Sequence, residues 1–325
     1  IVAALAGLSV LLTACAPTPG NPQGNSSDGI VDVVASTSVY GDIVAAIGAD
    51  KVKVNSIITR TSQDPHSYEA TTQDKLAVSK AELVVENGGG YDDFIQKLAA
   101  DTGLDHSRVL NAVELSGLAA EGTAGPSAST DAGGHAGGHA GFNEHVWYSL
   151  PAMARLADAV AAKLGELEPS SAGTFRSHAA AFKDSLGGLE AKLAGIRASA
   201  GGASVAVTEP VPLYLLDAAG LKNQTPDRYT AAIEEDTDVP PAVLKAATDL
   251  MASGSIRLAS VALNSGASSS EYFARLLEAL RQVEDPELGM DVVDLGHRVE
   301  QRPQLRVAVT LALDRVGVEA ERDVV

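Results

Sequence analysis

The order of short apolar runs along this chain constrains its fold more than any other feature. Two β-branched runs of strand length, residues 30–36 and 52–58, are separated by residues 39–47, which have helical spacing. A similar alternation begins after residue 200, with a predicted strand at 204–207 and a predicted helix at 213–219. Strands that alternate with helices form parallel sheets with helices on their faces. The pattern predicts an α/β fold with two lobes of parallel sheet and flanking helices.

A single long helix is predicted to join the two lobes. Its apolar residues alternate at spacings of four and three and are Phe175, Ala179, Phe182, Leu186, Leu189, Leu193 and Ile196. A helix over residues 171–197 would be about 40 Å long. Gly187 and Gly188 each cost about 1 kcal/mol relative to alanine, which leaves a kink or a break as an alternative. The predicted divisions are an amino-terminal lobe at 30–168, the linking helix at 169–198 and an incomplete carboxyl-terminal lobe at 199–270.

The amino-terminal residues predict export and membrane attachment. Residues 1–12 are almost continuously apolar but too few to span a bilayer, which is typical of a signal peptide, here assigned to residues 1–14. Leu12-Thr13-Ala14-Cys15 resembles the lipobox of bacterial lipoproteins, which implies lipidation of Cys15 and an extracytoplasmic location at the bacterial cell membrane. Residues 15–29 are rich in proline, glycine, asparagine and serine and predict a tether. The sequence starts without methionine, so we expect that the true start is missing, and a buried strand with an inert cysteine is the alternative.

The charge of the chain favours cations as ligands. Lysine and arginine number 24 against 42 aspartate and glutamate residues, a formal net charge of −18. This balance argues against binding to nucleic acid. The single cysteine also excludes a zinc site that is built from several thiolates.

Three candidate metal ligands stand at predicted strand or helix boundaries. His66 follows the second predicted strand, His145 precedes a predicted helix at 150–167, and Glu209 follows the predicted strand at 204–207. Ligands usually bind where the chain leaves a parallel sheet. A single imidazole is more often a structural residue, so these residues alone leave the choice between a metal site and a structural role open.

Four segments carry a resemblance to a known family. These are STSVYGDIVAAIGADKVKV, DPHSYEAT, NEHVWYSLPAM and VAVTEPVPLYLLDAAGLKNQTP. From residue 30 to about 263 the chain resembles the metal-binding solute-binding lipoproteins of ABC importers for zinc and manganese. The resemblance implies a metal held between the lobes by His66, His145 and Glu209, and an ABC importer permease as partner. Glu144 stands where proline is common in that family, and we expect it to be without consequence.

The predicted cargo is zinc, with manganese as the alternative. Imidazole suits zinc, whereas a carboxylate is also acceptable to manganese. His135 and His139 lie in a tract of glycine, alanine and histidine. Such tracts suggest metal capture, and loops of this kind are typical of zinc importers in the family; an inert connection is the alternative. We expect a monomer that binds metal without catalysing a reaction.

The carboxyl-terminal end departs from the family pattern. No late acidic residue is apparent as a fourth ligand, so water or one of Glu234, Glu235 and Asp236 is expected to complete the site. Residues 272–325 resemble instead a small iron-sulfur-assembly domain, which suggests a chimeric end; a diverged last lobe is the alternative. Two other functions therefore stay open: a zinc-dependent hydrolase with an open coordination position, and an iron-sulfur assembly factor. No HExxH pair, GxSxG elbow or Walker loop supports an enzyme.

Overall fold

The computed structural model describes residues 29–60, 63–118, 142–235, 237–253 and 256–258 of the chain. The amino-terminal lobe contains a parallel sheet of four strands in the order β2-β1-β3-β4. The strands are β1 (Val31–Thr37), β2 (Val52–Ile58), β3 (Leu83–Glu86) and β4 (Val109–Asn111). The central strands β1 and β3 are buried on both faces, as expected of a parallel sheet that helices cover on both sides.

Alternate residues of the central strands enter two different core clusters. Val33 and Val85 face the larger cluster, and Val34 and Val84 face the smaller one. The helices of this lobe are α1 (Ser38–Gly48), α2 (Thr72–Lys80), α3 (Asp93–Thr102) and α4 (Ala112–Ser116). Helix α2 begins with a capping box between Thr71 and Asp74, which fixes the end of the loop that carries His66.

Two long antiparallel helices, α5 (Leu150–Leu167) and α6 (Ala172–Ala200), follow the first lobe. The predicted apolar stripe of α6 faces the core: Phe175, Leu186 and Ile196 are buried. Gly187 and Gly188 lie within this helix, and a Cβ atom at either position would meet nothing within 4 Å. They therefore lie on an open side of the helix, which continues without a break. His178 Nδ1 lies 2.9 Å from the carbonyl oxygen of Ile47 and so ties α6 to α1.

The second lobe contains a parallel sheet of three short strands in the order β6-β5-β7. Its elements are β5 (Ser204–Ala206), α7 (Leu213–Ala218), β6 (Lys222–Asn223), α8 (Asp227–Glu234), α9 (Pro241–Ala252) and β7 (Arg257–Leu258). The predicted α/β fold with two parallel sheets and a long helix between them is confirmed. The segment from residue 271 lies outside the described residues, and the predicted domain boundaries stay predictions.

Within the described ranges, no helix combines the length and the apolar character that crossing a bilayer requires.

Candidate metal centre

His66 lies in the loop after β2, at the carboxyl-terminal edge of the first sheet. Its Nδ1 atom lies 3.0 Å from Oδ1 of Asp64, and its backbone N–H donates to the same oxygen over 3.2 Å. A carboxylate oxygen accepts hydrogen bonds, so Nδ1 carries a hydrogen and Nε2 points to the other side of the ring. The side chain of His66 is 27% exposed, which leaves this Nε2 atom near a cleft rather than in the core.

His145 is held in a similar way, but it is almost fully buried. Its Nδ1 atom lies 2.7 Å from Oδ1 of Asn143. The amide of Asn143 is oriented by its Nδ2 atom, which donates to the carbonyl oxygen of Pro210 over 3.0 Å. His145 Nδ1 is therefore the donor in this hydrogen bond, and Nε2 lies on the opposite side of the ring.

Tyr91 lies between the two histidines. Its ring centroid is 4.9 Å from that of His66 and 5.6 Å from that of His145, with both pairs edge to face. Trp147 packs against Tyr91 and His145, at centroid distances of 4.8 Å and 5.0 Å. Edge-to-face packing of rings favours one orientation, so Tyr91 helps to orient both imidazoles.

Glu234, the last residue of α8, brings a carboxylate from the second lobe to both histidines. Its Oε1 atom lies 3.2 Å from Nε2 of His145 and 3.6 Å from Nε2 of His66. The sequence offered Glu234 only as one of three possible substitutes for a missing ligand. The signal was weak because α8 is short and was not predicted.

A second carboxylate, that of Glu144, lies on the same side. Its Oε1 atom is 3.2 Å from Nε2 of His66. The donor atoms of His66, Glu144 and Glu234 all lie within 4.8 Å of one another, the one such group of potential metal ligands in the described part of the chain. His145 is not a member of this group, and its Nε2 atom adjoins it through the 3.2 Å contact with Oε1 of Glu234.

Three contacts between imidazole nitrogens and carboxylate oxygens have lengths that neighbouring ligands of one metal ion also show. A tetrahedral zinc site with bonds of about 2.0–2.1 Å has neighbouring ligand atoms about 3.3–3.4 Å apart. The separations of 3.2, 3.2 and 3.6 Å between imidazole nitrogens and carboxylate oxygens lie on both sides of that value. The distances are therefore compatible with ligands that share one cation.

The electrostatics of His66 indicate a site for positive charge. Burial lowers the pKa of His66, but hydrogen bonds to Asp64 and Glu144 and the charge of Glu234 outweigh this and raise the pKa to about 10. The metal-free protein therefore holds a proton on this ring at neutral pH. The carboxylates that stabilise the proton would also stabilise a metal cation.

Glu209 lies one residue beyond a buried Thr208 and is itself only 7% exposed. It is close enough to Tyr148 and Tyr229 to contribute to their raised pKa values, which arise mainly from burial. Its carboxylate lies outside the group of donor atoms formed by His66, Glu144 and Glu234. The assignment of Glu209 as a ligand stays a prediction.

The peptide before His145 also connects the two lobes. The hydroxyl of Tyr214, on α7, donates to the carbonyl oxygen of Asn143 over 2.6 Å. Together with the Asn143–Pro210 hydrogen bond, this ties the segment that carries His145 to the segment that follows Glu209.

Several predicted residues lie outside the described ranges: Cys15, His135, His139 and Asp236. Glu235 is described and exposed, next to Glu234 but outside the group of donor atoms around it.

The sequence and the fold of this chain are similar to those of known proteins. The family model described as zinc-uptake complex component A, periplasmic (ZnuA) matches residues 33–286. This match continues past residue 263, where we expected the resemblance to end.

The manganese-binding lipoprotein MntA of Bacillus subtilis (strain 168) is 27% identical over 190 residues, which are 57% of this chain and 55% of that protein. The manganese ABC transporter substrate-binding lipoprotein scaA of Streptococcus gordonii is 26% identical over 187 residues, 55% of this chain and 54% of that protein. The chain thus spans about half the length of these curated relatives.

Solved structures share the fold. The crystal structure of ZnuA superposes with a TM-score of 0.56 at 18% identity, over 78% of this chain and 98% of that chain. The Ni²⁺ complex of FpvC from P. aeruginosa gives a TM-score of 0.56 at 21% identity, over 81% and 100% of the two chains. With the family model covering most of the sequence, these findings identify the chain as a member of the ZnuA family.

Proposed function

We propose that this protein is the extracytoplasmic substrate-binding component of an ABC importer, and that it captures one divalent transition-metal ion, zinc or manganese, between its lobes. One observation carries the proposal: Oε1 of Glu234, from the second lobe, faces Nε2 of both His145 and His66, from the first. An ion bound there would be held by both lobes at once. The metal is cargo in this proposal, and the protein catalyses no reaction.

The proposed ligands are His66, His145 and Glu234. Glu209 stays a predicted ligand, and its carboxylate lies outside the group of donor atoms formed by His66, Glu144 and Glu234. Both imidazoles use Nδ1 for a hydrogen bond to a neighbouring side chain and keep Nε2 for the ion. This arrangement is typical of metal-bound histidine, because the second hydrogen bond fixes the tautomer and the ring orientation.

Attachment to the membrane through Cys15 and delivery to a permease belong to the same proposal. They are supported by the lipobox-like sequence at residues 12–15 and by relatives that are named as lipoproteins of metal ABC transporters. The zinc preference predicted from the sequence is supported by the two imidazoles, and the carboxylates leave manganese as the alternative.

Isothermal titration of the full chain with Zn²⁺ and with Mn²⁺ tests the proposal. We expect one ion per chain, and an affinity about 100-fold or more weaker in His66→Ala, because a ligand is lost. His106→Ala is the matched control, since His106 is exposed in a short helical turn away from this group. Wild-type affinity in His66→Ala would overturn the assignment of the site.

A further inference from the structure

Glu144 holds a fixed position beside the two histidines. Its carbonyl oxygen accepts hydrogen bonds from Nδ2 of Asn87 over 3.0 Å and from the backbone N–H of Val146 over 2.7 Å. A Cβ atom added at Gly89 would lie 3.3 Å from Cβ of Glu144, so the backbone of the neighbouring loop passes close to this side chain. The side chain of Glu144 is 16% exposed. These contacts fix the backbone of Glu144, and most of its side chain is shielded from solvent.

The side of the imidazole ring that Glu144 contacts indicates its role. A carboxylate that only orients a metal-bound histidine accepts a hydrogen bond from the nitrogen that does not bind the metal. In His66 that nitrogen is Nδ1, and Asp64 already accepts from it. Glu144 lies instead against Nε2, the atom that faces Glu234 as well. Glu144 is thus on the side where the ion would bind.

Charge balance also favours a second carboxylate among the ligands. The neutral imidazoles and one carboxylate would leave a divalent ion with a net charge of +1 in a cleft where Glu234 is only 13% exposed. A poorly solvated charge without a partner costs free energy. Of the described acids, Glu144 is the one besides Glu234 whose carboxylate oxygen lies within the group of donor atoms, so it is placed to balance this charge.

We propose that Glu144 is a ligand of the metal cargo and makes the site more selective for manganese than its two histidines alone would. The inference rests on the proposed function and names a ligand that none of the sequence motifs assigned. Oxygen donors suit manganese, whereas imidazole suits zinc. Two carboxylates can also offer two oxygens each, which with two imidazoles would give the six donors of an octahedral shell.

The test compares Glu144→Gln, Glu235→Gln and His66→Ala in the full chain. Dissociation constants for Zn²⁺ and Mn²⁺ are measured by competition with a chelator, with circular dichroism as a check that each variant folds. Glu144→Gln should weaken Mn²⁺ binding at least tenfold and Zn²⁺ binding by a smaller factor. Glu235→Gln removes the same charge from an exposed neighbour of Glu234 and should change neither constant more than about twofold.

A spectrum separates a ligand from a residue that only positions His66. The visible d–d absorption of Co²⁺ bound to the protein should change in position or intensity when Glu144 is replaced by glutamine. An unchanged spectrum, or unchanged constants for both ions, would overturn the role of Glu144 while His66→Ala still weakened binding about 100-fold or more. Equal losses for both ions would overturn the selectivity. Wild-type binding in His66→Ala would instead overturn the proposed site itself.

Discussion

The side-chain amide of Asn143 bonds to His145 with its oxygen and to the second lobe with its nitrogen. Oδ1 lies 2.7 Å from Nδ1 of His145, and Nδ2 donates to the carbonyl oxygen of Pro210 over 3.0 Å. Because an amide has both an acceptor and donors, one side chain can fix the tautomer of a ligand and hold the lobes together. Neither alanine nor aspartate can do both.

Replacing Asn143 should therefore separate these two roles. Asn143→Ala leaves Nδ1 of His145 without its acceptor and should weaken metal binding about 10- to 100-fold, as loss of a partner to a ligating histidine does. Asn143→Asp keeps the oxygen that accepts the hydrogen bond from His145. It replaces the amide nitrogen by an oxygen that cannot donate to the carbonyl oxygen of Pro210. It should retain metal affinity within a few-fold and lower the midpoint of thermal unfolding.

Titration calorimetry and thermal unfolding of both variants check this prediction. Equal metal affinities in Asn143→Ala and the wild type would show that His145 does not depend on this hydrogen bond.

Tyr91 should contribute to metal binding through its ring rather than its hydroxyl. The ring contacts the imidazoles of both His66 and His145 edge to face, and such pairs contribute about 0.5–1.5 kcal/mol each. Tyr91→Leu should weaken metal binding up to about tenfold because both ligands lose a packing surface. Tyr91→Phe keeps the ring and should bind as the wild type does; a loss of affinity in this variant would instead implicate the hydroxyl.

The sequence was informative wherever a local pattern determined the structure. Strand β1, helix α1 and the apolar stripe of α6 were all predictable because burial places apolar residues at the regular spacing of a strand or a helix. The position of His66 at the edge of the sheet could be predicted for a similar reason, since the ends of parallel strands meet at one edge of a sheet; its role as a ligand stays a prediction. The strand β4 and the helix α4 were missed because three and five residues are too few to show a period.

The contribution of the second lobe could not be predicted in this way. The contact between Glu234 and His145 joins residues about 90 positions apart in the sequence, and no local pattern predicts it. Glu144 illustrates a different limit. Its place beside His145 is plain in the sequence, but the direction of its side chain depends on the loop around Gly89 and on Asn87.

Asp92 should be important for folding rather than for chemistry. It is buried, and its carboxylate accepts hydrogen bonds from the backbone N–H groups of Asn87 and Gly88 over 2.7 Å and 2.8 Å. Gly88 has a φ of 79°, which a residue with a side chain rarely adopts, so this turn depends on its supports. Asp92→Asn removes one acceptor and should lower the free energy of unfolding by about 1–3 kcal/mol.

Urea denaturation of Asp92→Asn checks this value. Asp93→Asn is the matched control, because Asp93 is adjacent in sequence but less buried and should change the free energy of unfolding by less than about 0.5 kcal/mol. Equal stability of the two variants would contradict the structural role of Asp92.

The raised pKa of His66 predicts how the stability of the metal-free protein depends on pH. The folded-state pKa of about 10 lies above the reference value of about 6.5. The protonated ring therefore stabilises the fold fully below about pH 6.5, and this contribution is lost as the pH rises toward 10. Urea denaturation of the metal-free wild type and of His66→Ala should show a difference in stability that shrinks with increasing pH; a constant difference would contradict the assigned pKa.

The same proton should be released when a metal binds. Near pH 7.5 the ring of His66 is protonated in the metal-free protein, and an ion can bind Nε2 only after that proton leaves. We expect about one proton released per ion, and an affinity that rises up to tenfold per pH unit until the pH approaches 10.

Titration calorimetry in two buffers with different enthalpies of ionisation measures the number of protons. Asp64→Asn removes the carboxylate that accepts from Nδ1, so it should lower the pKa of His66 and with it the pH above which proton release disappears. Release that disappears at the same pH in Asp64→Asn and in the wild type would show that another group supplies the proton, and no release in the wild type would mean that the metal does not displace a proton from His66.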